Sequence, residues 1–383
     1  GHTEHKSGFG VHLKGNTAGR PIVENVITFD LFGGAWVDSS DYVTMRGLQV
    51  NQVDNRNSKF GLKISGDSSS LAFDDLFAYS PVSSESTSPT DDWHMDYGIW
   101  IESADGIQFS NLNVRANIGV YIQCPDGGQV GSVFFNQPVI DTCRSIAVVI
   151  EGLGTPKVLG NIHFVSPHII ANFEKFPGVV YNGNGATGGV KFIGAVISGF
   201  KDDGFYSLNA NNLTLDDCTV ADNDGNGATL LNGNNITLTA NQIYDQRAVP
   251  KQNYGIVLGG AVDKLNAEAN TLYGNKSASL NNMAAMTQSS MRGNIGMEDT
   301  LASMAVATPI TLPSNGSRQI ILTGAGTIKT INGAIGNNDQ VSFFCPPGVV
   351  FNAVGGNMAN TFTTTSINQW VTAQYQGGSW FIR

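Results

Sequence analysis

The sequence predicts an all-β chain: a parallel β-helix, in which short strands wind into stacked turns, then a small antiparallel, sandwich-like β-domain. Three observations carry that expectation. Glycine and asparagine are abundant, 46 and 37 of 383 residues, and both accept tight turns and positive φ. Two apolar patterns recur at intervals of 23 to 36 residues. Both alternate with the period of two that marks a strand, where a helical repeat would show 3.6.

The first pattern reads apolar, any, apolar, four of any kind, apolar. It begins at Val43, Leu71, Ile107, Val133, Ile162, Val190, Leu213, Ile236 and Leu265. The second is a small residue followed by alternating apolar positions. Its copies start at Gly61, Gly98, Gly119, Ala147, Gly178, Gly204, Gly227 and Gly255, with less regular ones at Gly10 and Gly34. A repeat this short cannot bury its apolar face alone and must stack on its neighbours. Nine or more turns at strand spacing give a rod roughly 40–50 Å long. These turns occupy residues 1–276.

Residues 277–306 hold five methionines among small polar residues and read as a connector with room for a short helix. From residue 307 to 383, ITLP, QIILTG, GTIKTI, QVSFFCPPG, WVTAQYQ and SWFIR read as strands of the C-terminal domain. That domain is expected to cap the rod, join subunits or bind carbohydrate.

Composition narrows the function. Charged residues make up 14%, against about 25% in an average globular protein, which excludes a long coiled coil and a charged disordered chain. A net charge of −10 supplies no basic face for nucleic acid. No apolar run reaches 18 residues, so membrane insertion by a helix is not expected. The N-terminus lacks a basic-then-apolar signal pattern, and Gly1-His2 reads as a cloning remnant on a trimmed chain. Cys124, Cys143, Cys218 and Cys345 form no paired motif and read as buried, reduced thiols of a protein assembled in the cytosol. No metal or cofactor is expected. Asp216-Asp217 with Asp222 and Asp224 is at most a calcium-like cluster, spread over separate parts of a turn. Lys201-Asp202-Asp203 reads as a charged turn, Arg115 and Arg144 as lone basic residues, and His163 and His168 as surface histidines. Residues 184–189, GNGATG, lack the Lys-Ser/Thr and helix of a phosphate loop.

The stacked turns, with the terminal stretch ITLPSNGSRQIILTGAGTIKTI and VTAQYQGGSWFIR, resemble phage tailspikes and capsule depolymerases of the right-handed, pectate-lyase-like β-helix superfamily. The resemblance covers most of the chain and is architectural. It implies a homotrimer of parallel rods on a virion tail, joined to the baseplate by an N-terminal domain missing here. It also implies cleavage of a capsular or O-antigen polysaccharide at the host surface. A trimer has a further argument: an exposed end of a β-helix is an open sheet edge that needs a cap.

Strand alternation then sorts the side chains. Counting from the small residue as zero, positions +1 and +3 are apolar and face the core; +2 and +4 face outward. The +2 column reads His12, Trp36, Lys63, Trp100, Tyr121, Val149, Val180, Tyr206. The +4 column reads Lys14, Asp38, Ser65, Glu102, Gln123, Glu151, Asn182, Leu208. Trp100 and Tyr121 suit stacking on sugar, with Gln123 and Lys63 beside them as polar contacts. Glu102 and Glu151 stand two turns apart, about 9–10 Å at the backbone, near the separation of an inverting glycosidase's acid and base. The competing expectation packs the same aromatics against a neighbouring subunit. The long insertion at 80–96 adds Asp92, His94 and Asp96, which would line the lip of this face, with Asp96 or His94 as a further proton carrier.

Hydrolysis is the first expectation, with Glu151 beside Val149 as acid and Glu102 as base. β-Elimination on a uronic acid is the alternative, with Lys63, His94 or Arg115 as base. A third is a non-catalytic polysaccharide-binding fibre.

Overall fold

The computed structural model describes residues 3–4, 8–52, 56–80, 95–184, 188–295, 302–312, 319–333, 340–365 and 369–382. Strands and turns make up these residues, and no helix occurs among them. Eleven turns stack in parallel, their first-sheet strands running from Phe9–Lys14 through Met95–Glu102, Ile118–Cys124 and Val148–Gly152 to Ala278–Asn282. The two sequence patterns are in register throughout. Leu71 pairs with Ile107, Ile107 with Val133, Val133 with Ile162 and Ile162 with Val190. The last apolar position of that pattern forms a third sheet, in which Ile140, Ile169, Ile197, Val220, Ile243 and Leu272 align.

Two backbone devices let L-residues wind this way. The corner between the second and third sheets is turned by one left-handed residue per turn: Gly47, Asp75, Asn111, Gln137, Ser166, Gly194, Asp217, Ala240 and Ala269, all at φ between 48° and 62°. Such residues normally cost free energy. Here their amides keep the ladder unbroken: Gln137 donates to the Val165 carbonyl at 2.8 Å, Ser166 to Ile193 at 2.7 Å and Asp217 to Thr239 at 2.9 Å. The second device is the small residue that opens the first-sheet pattern. A Cβ on Gly34, Gly61, Gly98 or Gly119 would lie 2.5–2.7 Å from the carbonyl oxygen of the next turn. At these four positions only a hydrogen fits, which explains the recurrence of glycine; Ala147 is the one copy of the regular pattern that carries a methyl.

The interior is built from ladders. Phe73, Phe109, Phe135, Phe164 and Phe192 stack nearly parallel, with ring centroids 4.4–4.9 Å apart. Deeper in the rod, Asn241, Asn270 and Asn294 are buried. The Asn241 amide and Nδ2 donate to Asn270 Oδ1 (3.0 and 2.8 Å), and those of Asn270 donate to Asn294 Oδ1 (2.9 and 2.8 Å). Asn270 Nδ2 also donates to the Leu238 carbonyl at 2.8 Å. The side-chain amides of this ladder are thereby satisfied by the turns on either side. All four cysteines are free and buried.

Two expectations require correction. Residues 277–306 are not simply a connector, because Ala278–Asn282, Ala285–Thr287 and Ser290–Arg292 pair in parallel with Tyr254–Glu268 and close one more turn. Asn294 extends the asparagine ladder, and Met286 and Met291 pack on the core as ordinary apolar residues. The C-terminal domain is also not wholly antiparallel. Ala302–Ala305, Gln319–Thr323 and Gln340–Cys345 run parallel, while Gln340–Cys345, Gln369–Gln376 and Ser379–Ile382 form an antiparallel meander and Val349–Phe351 pairs antiparallel with Phe362–Thr363. Residues 302–351 therefore repeat the parallel winding on a smaller scale around their own core, which includes Ile320, Phe343, Phe351 and Trp380.

Replacing Asn270 with alanine should lower unfolding free energy in a urea titration by roughly 2–3 kcal/mol, since buried donors and acceptors on two adjacent turns lose their partner. The exposed Lys276→Ala should stay within about 0.5 kcal/mol. Equal effects would mean the ladder is not a stabilising element.

Candidate functional site

The outward columns of the first sheet align as alternation requires. Lys63 pairs with Trp100, Trp100 with Tyr121 and Tyr121 with Val149. Glu102 pairs with Gln123, Gln123 with Glu151 and Glu151 with Asn182. Ile99, Ile101, Val120, Ile122, Val148 and Ile150 beneath them are fully buried, so the site stands on a rigid floor.

The two glutamates have different partners. Glu102 Oε2 lies 2.8 Å from Lys63 Nζ. Lys63 in turn sits 3.6 Å from the centre of the Trp100 ring and 5.7 Å from that of Trp36, so its cation is shared between a carboxylate and aromatic faces. Glu151 Oε1 accepts from the Tyr121 hydroxyl at 2.5 Å and from Gln123 Nε2 at 3.3 Å. Gln123 Nε2 also donates to the Tyr121 oxygen. Burial, and then the Glu151 carboxylate, push the Tyr121 phenol far above its ordinary value, so it is a neutral donor.

A second aromatic column escaped the alternation argument. Phe9, Phe60 and Tyr97 occupy the position just before the small residue, where plain alternation points inward. Instead they join the outer wall. Tyr97 stacks on Tyr121 (5.0 Å, 13°) and leans on Trp100 (5.0 Å, 41°). Phe60 contacts Phe9, Phe32, Trp36 and Trp100. The alternation breaks here, since Gly98 and Ile99 are both buried and Tyr97 before them is left on the outer side. Gly33 has no side chain because a Cβ would fall 2.3 Å from the Phe60 ring. His12 continues the wall, stacked on Trp36 at 4.6 Å.

Two buried polar atoms on this face have no hydrogen-bond partner, Trp100 Nε1 and Asn182 Oδ1. They lie at the two ends of the Glu102–Gln123–Glu151 line. An orphaned buried donor and acceptor are costly.

Other expected residues lie elsewhere. Asp96 is on the same strand as Glu102 but six residues earlier, about 20 Å along it at 3.3 Å per residue. Its carboxylate is 2.8 Å from Lys59 Nζ. The structure thus separates Asp96 from the glutamate pair. Asp92 and His94 lie outside the described residues. Arg144 pairs with Glu174 at 2.8 Å, and Asp224 pairs with Arg247 at 2.6 Å and with Lys251 at 3.6 Å. Asp222 accepts from the Gln246 amide at 2.8 Å. These acidic groups therefore have protein partners of their own, and no cluster suited to a metal occurs among the described residues.

The family described as right-handed β-helix region matches residues 177–308, about a third of the chain. No curated protein matches the sequence. Among solved structures, the chain is similar to the enzymatically active domain of tailspike protein 2 from bacteriophage CBA120: 13% identity, TM-score 0.36, over 74% of this chain and 43% of that one. The match thus spans less than half of that tailspike's length. It is also similar to tailspike gp49 of the Acinetobacter baumannii bacteriophage Fri1, a capsular polysaccharide depolymerase, with 11% identity and TM-score 0.30 over 96% of this chain and 73% of that one. The receptor-binding domain of the siphovirus 9NA tailspike matches at 12% identity and TM-score 0.24, over 97% and 79% of the two chains.

The Tyr121 environment is open to direct test. Its phenol should remain protonated well above pH 10, the ordinary tyrosine range. A 295 nm titration of the wild type minus Tyr121→Phe should show no phenolate difference at pH 11. A difference band rising near pH 10 would contradict the buried hydrogen bond to Glu151.

Proposed function

We propose that the protein is a phage tailspike that binds a bacterial surface polysaccharide and hydrolyses it at Glu102 and Glu151. The observation that carries this reading is the pair of carboxylates two turns apart beside an aromatic wall, each with a partner of different charge. Two strand spacings put their backbones about 9–10 Å apart, leaving room for a water between one carboxylate and the anomeric carbon.

The roles follow from the partners. Glu102 shares its charge with the Lys63 ammonium and acts as the base that removes a proton from the attacking water. Glu151 has only neutral partners, Tyr121 and Gln123, both on Oε1, with Val149 on the same strand, and acts through its other oxygen as the acid that protonates the departing glycosidic oxygen. Water adds from the Glu102 side as the bond on the Glu151 side breaks, which inverts the anomeric centre. Trp100 and Tyr97 give sugar rings a stacking surface. Association of the rods into a trimer belongs to the same reading. It is supported by the +2 column beyond Tyr121, where Val149, Val180, Tyr206 and Val257 offer little polar chemistry.

Elimination would need a base near the sugar's C5 proton and a group to hold its carboxylate. The cation nearest the glutamates, Lys63, is already paired with Glu102, which favours hydrolysis.

Incubation with a panel of purified capsular and O-antigen polysaccharides, followed by mass spectrometry, tests the reading. Fragments with intact-sugar masses are expected. Glu102→Gln and Glu151→Gln should each slow cleavage by about 10²–10⁴-fold, the usual range for general acid–base catalysis, and leave binding nearly unchanged. Fragments lighter by one water would overturn hydrolysis. Binding without shortening of any polymer would make the protein an adhesin.

A further inference from the structure

Around the corner from Glu102 the surface dips into a hollow of about 310 Å³, lined by Asp105, Gln129, Ser132, Val158 and Asn161 and floored by Gly131, Gly160 and Gly188. It belongs to the same turns as the glutamates. Asp105 follows Glu102 by three residues, across a tight corner at Ser103 with φ 58°. Asp105 pairs with Gly131, and Gly131 with Gly160, as Glu102 pairs with Gln123 and Gln123 with Glu151.

Sequence and backbone keep the hollow open. Gly160 and Gly188 approach so closely that a Cβ on Gly160 would fall 2.2 Å from the Gly188 Cα. Gly131 is different: a Cβ there would sit 3.2 Å from Asp105 Oδ1 and 3.6 Å from the Gly160 carbonyl, which ordinary side chains tolerate after a small shift. The Asp105 carboxylate therefore leans over a floor whose bareness the fold does not require at that position. On the next two turns the corner is widened by loops that brace each other. Asp126 Oδ1 accepts from the Thr155 amide at 2.8 Å, and the Lys157 amide donates to the Gly128 carbonyl at 2.8 Å. Gln129 and Val158, which directly follow these loops, wall the hollow.

We infer that this hollow is a second sugar-binding subsite, taking an uncharged residue of the polymer that Glu102 and Glu151 cut; the inference rests on that reading. The lining supplies what a neutral sugar needs. Asp105 accepts hydroxyls, Gln129 and Asn161 donate and accept, Ser132 keeps a free proton while receiving Asn161 Nδ2 at 3.2 Å, and Val158 offers a small apolar surface. A uronate or sialate carboxylate would instead meet the Asp105 charge, with Glu102 one corner away. The subsite therefore selects polymers in which this residue is neutral.

The four native thiols are buried, so a single engineered thiol can report on the hollow. Ser132→Cys is nearly isosteric and should react readily with a maleimide. The protein carrying Ser132→Cys is labelled with and without each purified capsular or O-antigen polysaccharide of the panel, next to a Ser277→Cys control on an exposed turn. A neutral-repeat polymer that binds should slow labelling of the Ser132→Cys thiol at least tenfold and leave the Ser277→Cys thiol unchanged. Gly131→Val should weaken binding of the same polymer about tenfold or more. Binding without protection, or equal binding by Gly131→Val, would overturn the subsite. Equal protection by a uronate polymer would overturn its selectivity. Repeating the labelling in a Glu102→Gln background separates the two readings. Protection with undiminished cleavage would overturn the glutamate mechanism alone, and lost cleavage without protection would overturn the subsite alone.

Discussion

The structure depends on one recurring contact: wherever glycine opens a first-sheet strand, the backbone carbonyl of the next turn lies against the place a Cβ would take. At Gly34, Gly61, Gly98 and Gly119 the gap is 2.5–2.7 Å, too short for a side-chain carbon. With glycine there, successive turns lie in strict register at strand spacing. The rest of the molecule inherits that register. Five phenylalanines meet face to face, three asparagines pass hydrogen bonds from turn to turn, and one left-handed residue per turn rounds each corner without breaking the ladder. Each of these ladders would fail if the turns slipped by a residue, because alternation would exchange inside for outside.

Register also makes the candidate site. In sequence, Glu102, Gln123 and Glu151 are far apart and unremarked by any motif. On the rod they are consecutive rungs of one column, with Lys63, Trp100 and Tyr121 as the column beside them. Spacing that an enzyme with loops must obtain from several elements is here a multiple of one strand separation. A carboxylate pair two rungs apart falls near the distance an inverting hydrolase uses.

Much of this was legible in the sequence because alternation and repetition are local. The recurrence from Val43 to Leu265, the buried +1 and +3 positions and the order of both outward columns all follow from counting. What escaped has specific causes. Tyr97 lies on the outer side because two consecutive buried residues, Gly98 and Ile99, interrupt the period of two, and Phe60 at the paired position packs on the same aromatic wall, so counting across the glycine assigns both to the wrong side. Residues 278–292 carry small and polar residues at the winding positions, and their strands are short, so the last turn lacked a visible apolar pattern. The C-terminal strands alternate as any half-buried strand does, and alternation says nothing about parallel or antiparallel pairing. Asp96 was grouped with Glu102 by closeness in sequence, yet an extended strand turns six residues into about 20 Å.

The division of labour within each turn explains how such a site can exist at all. Stability comes from the inside: phenylalanine stacking, the asparagine ladder and the glycine contact involve no outward position. The +2 and +4 columns are thus free to hold residues that a compact core would reject. A lysine can lie between two indoles and a carboxylate, a tyrosine can donate a hydrogen bond to Glu151, and the indole nitrogen of Trp100 and the side-chain oxygen of Asn182 can remain without partners. The two unpartnered atoms cost free energy. They persist where the backbone beneath is over-determined by register, as at Ile99 to Glu102. Along the same columns toward the C-terminal turns the residues become Val180, Tyr206, Thr229 and Val257, which carry no such strain. The Lys63–Glu102 and Tyr121–Glu151 contacts are therefore a property of the side chains placed on a few adjacent turns of an otherwise uniform rod.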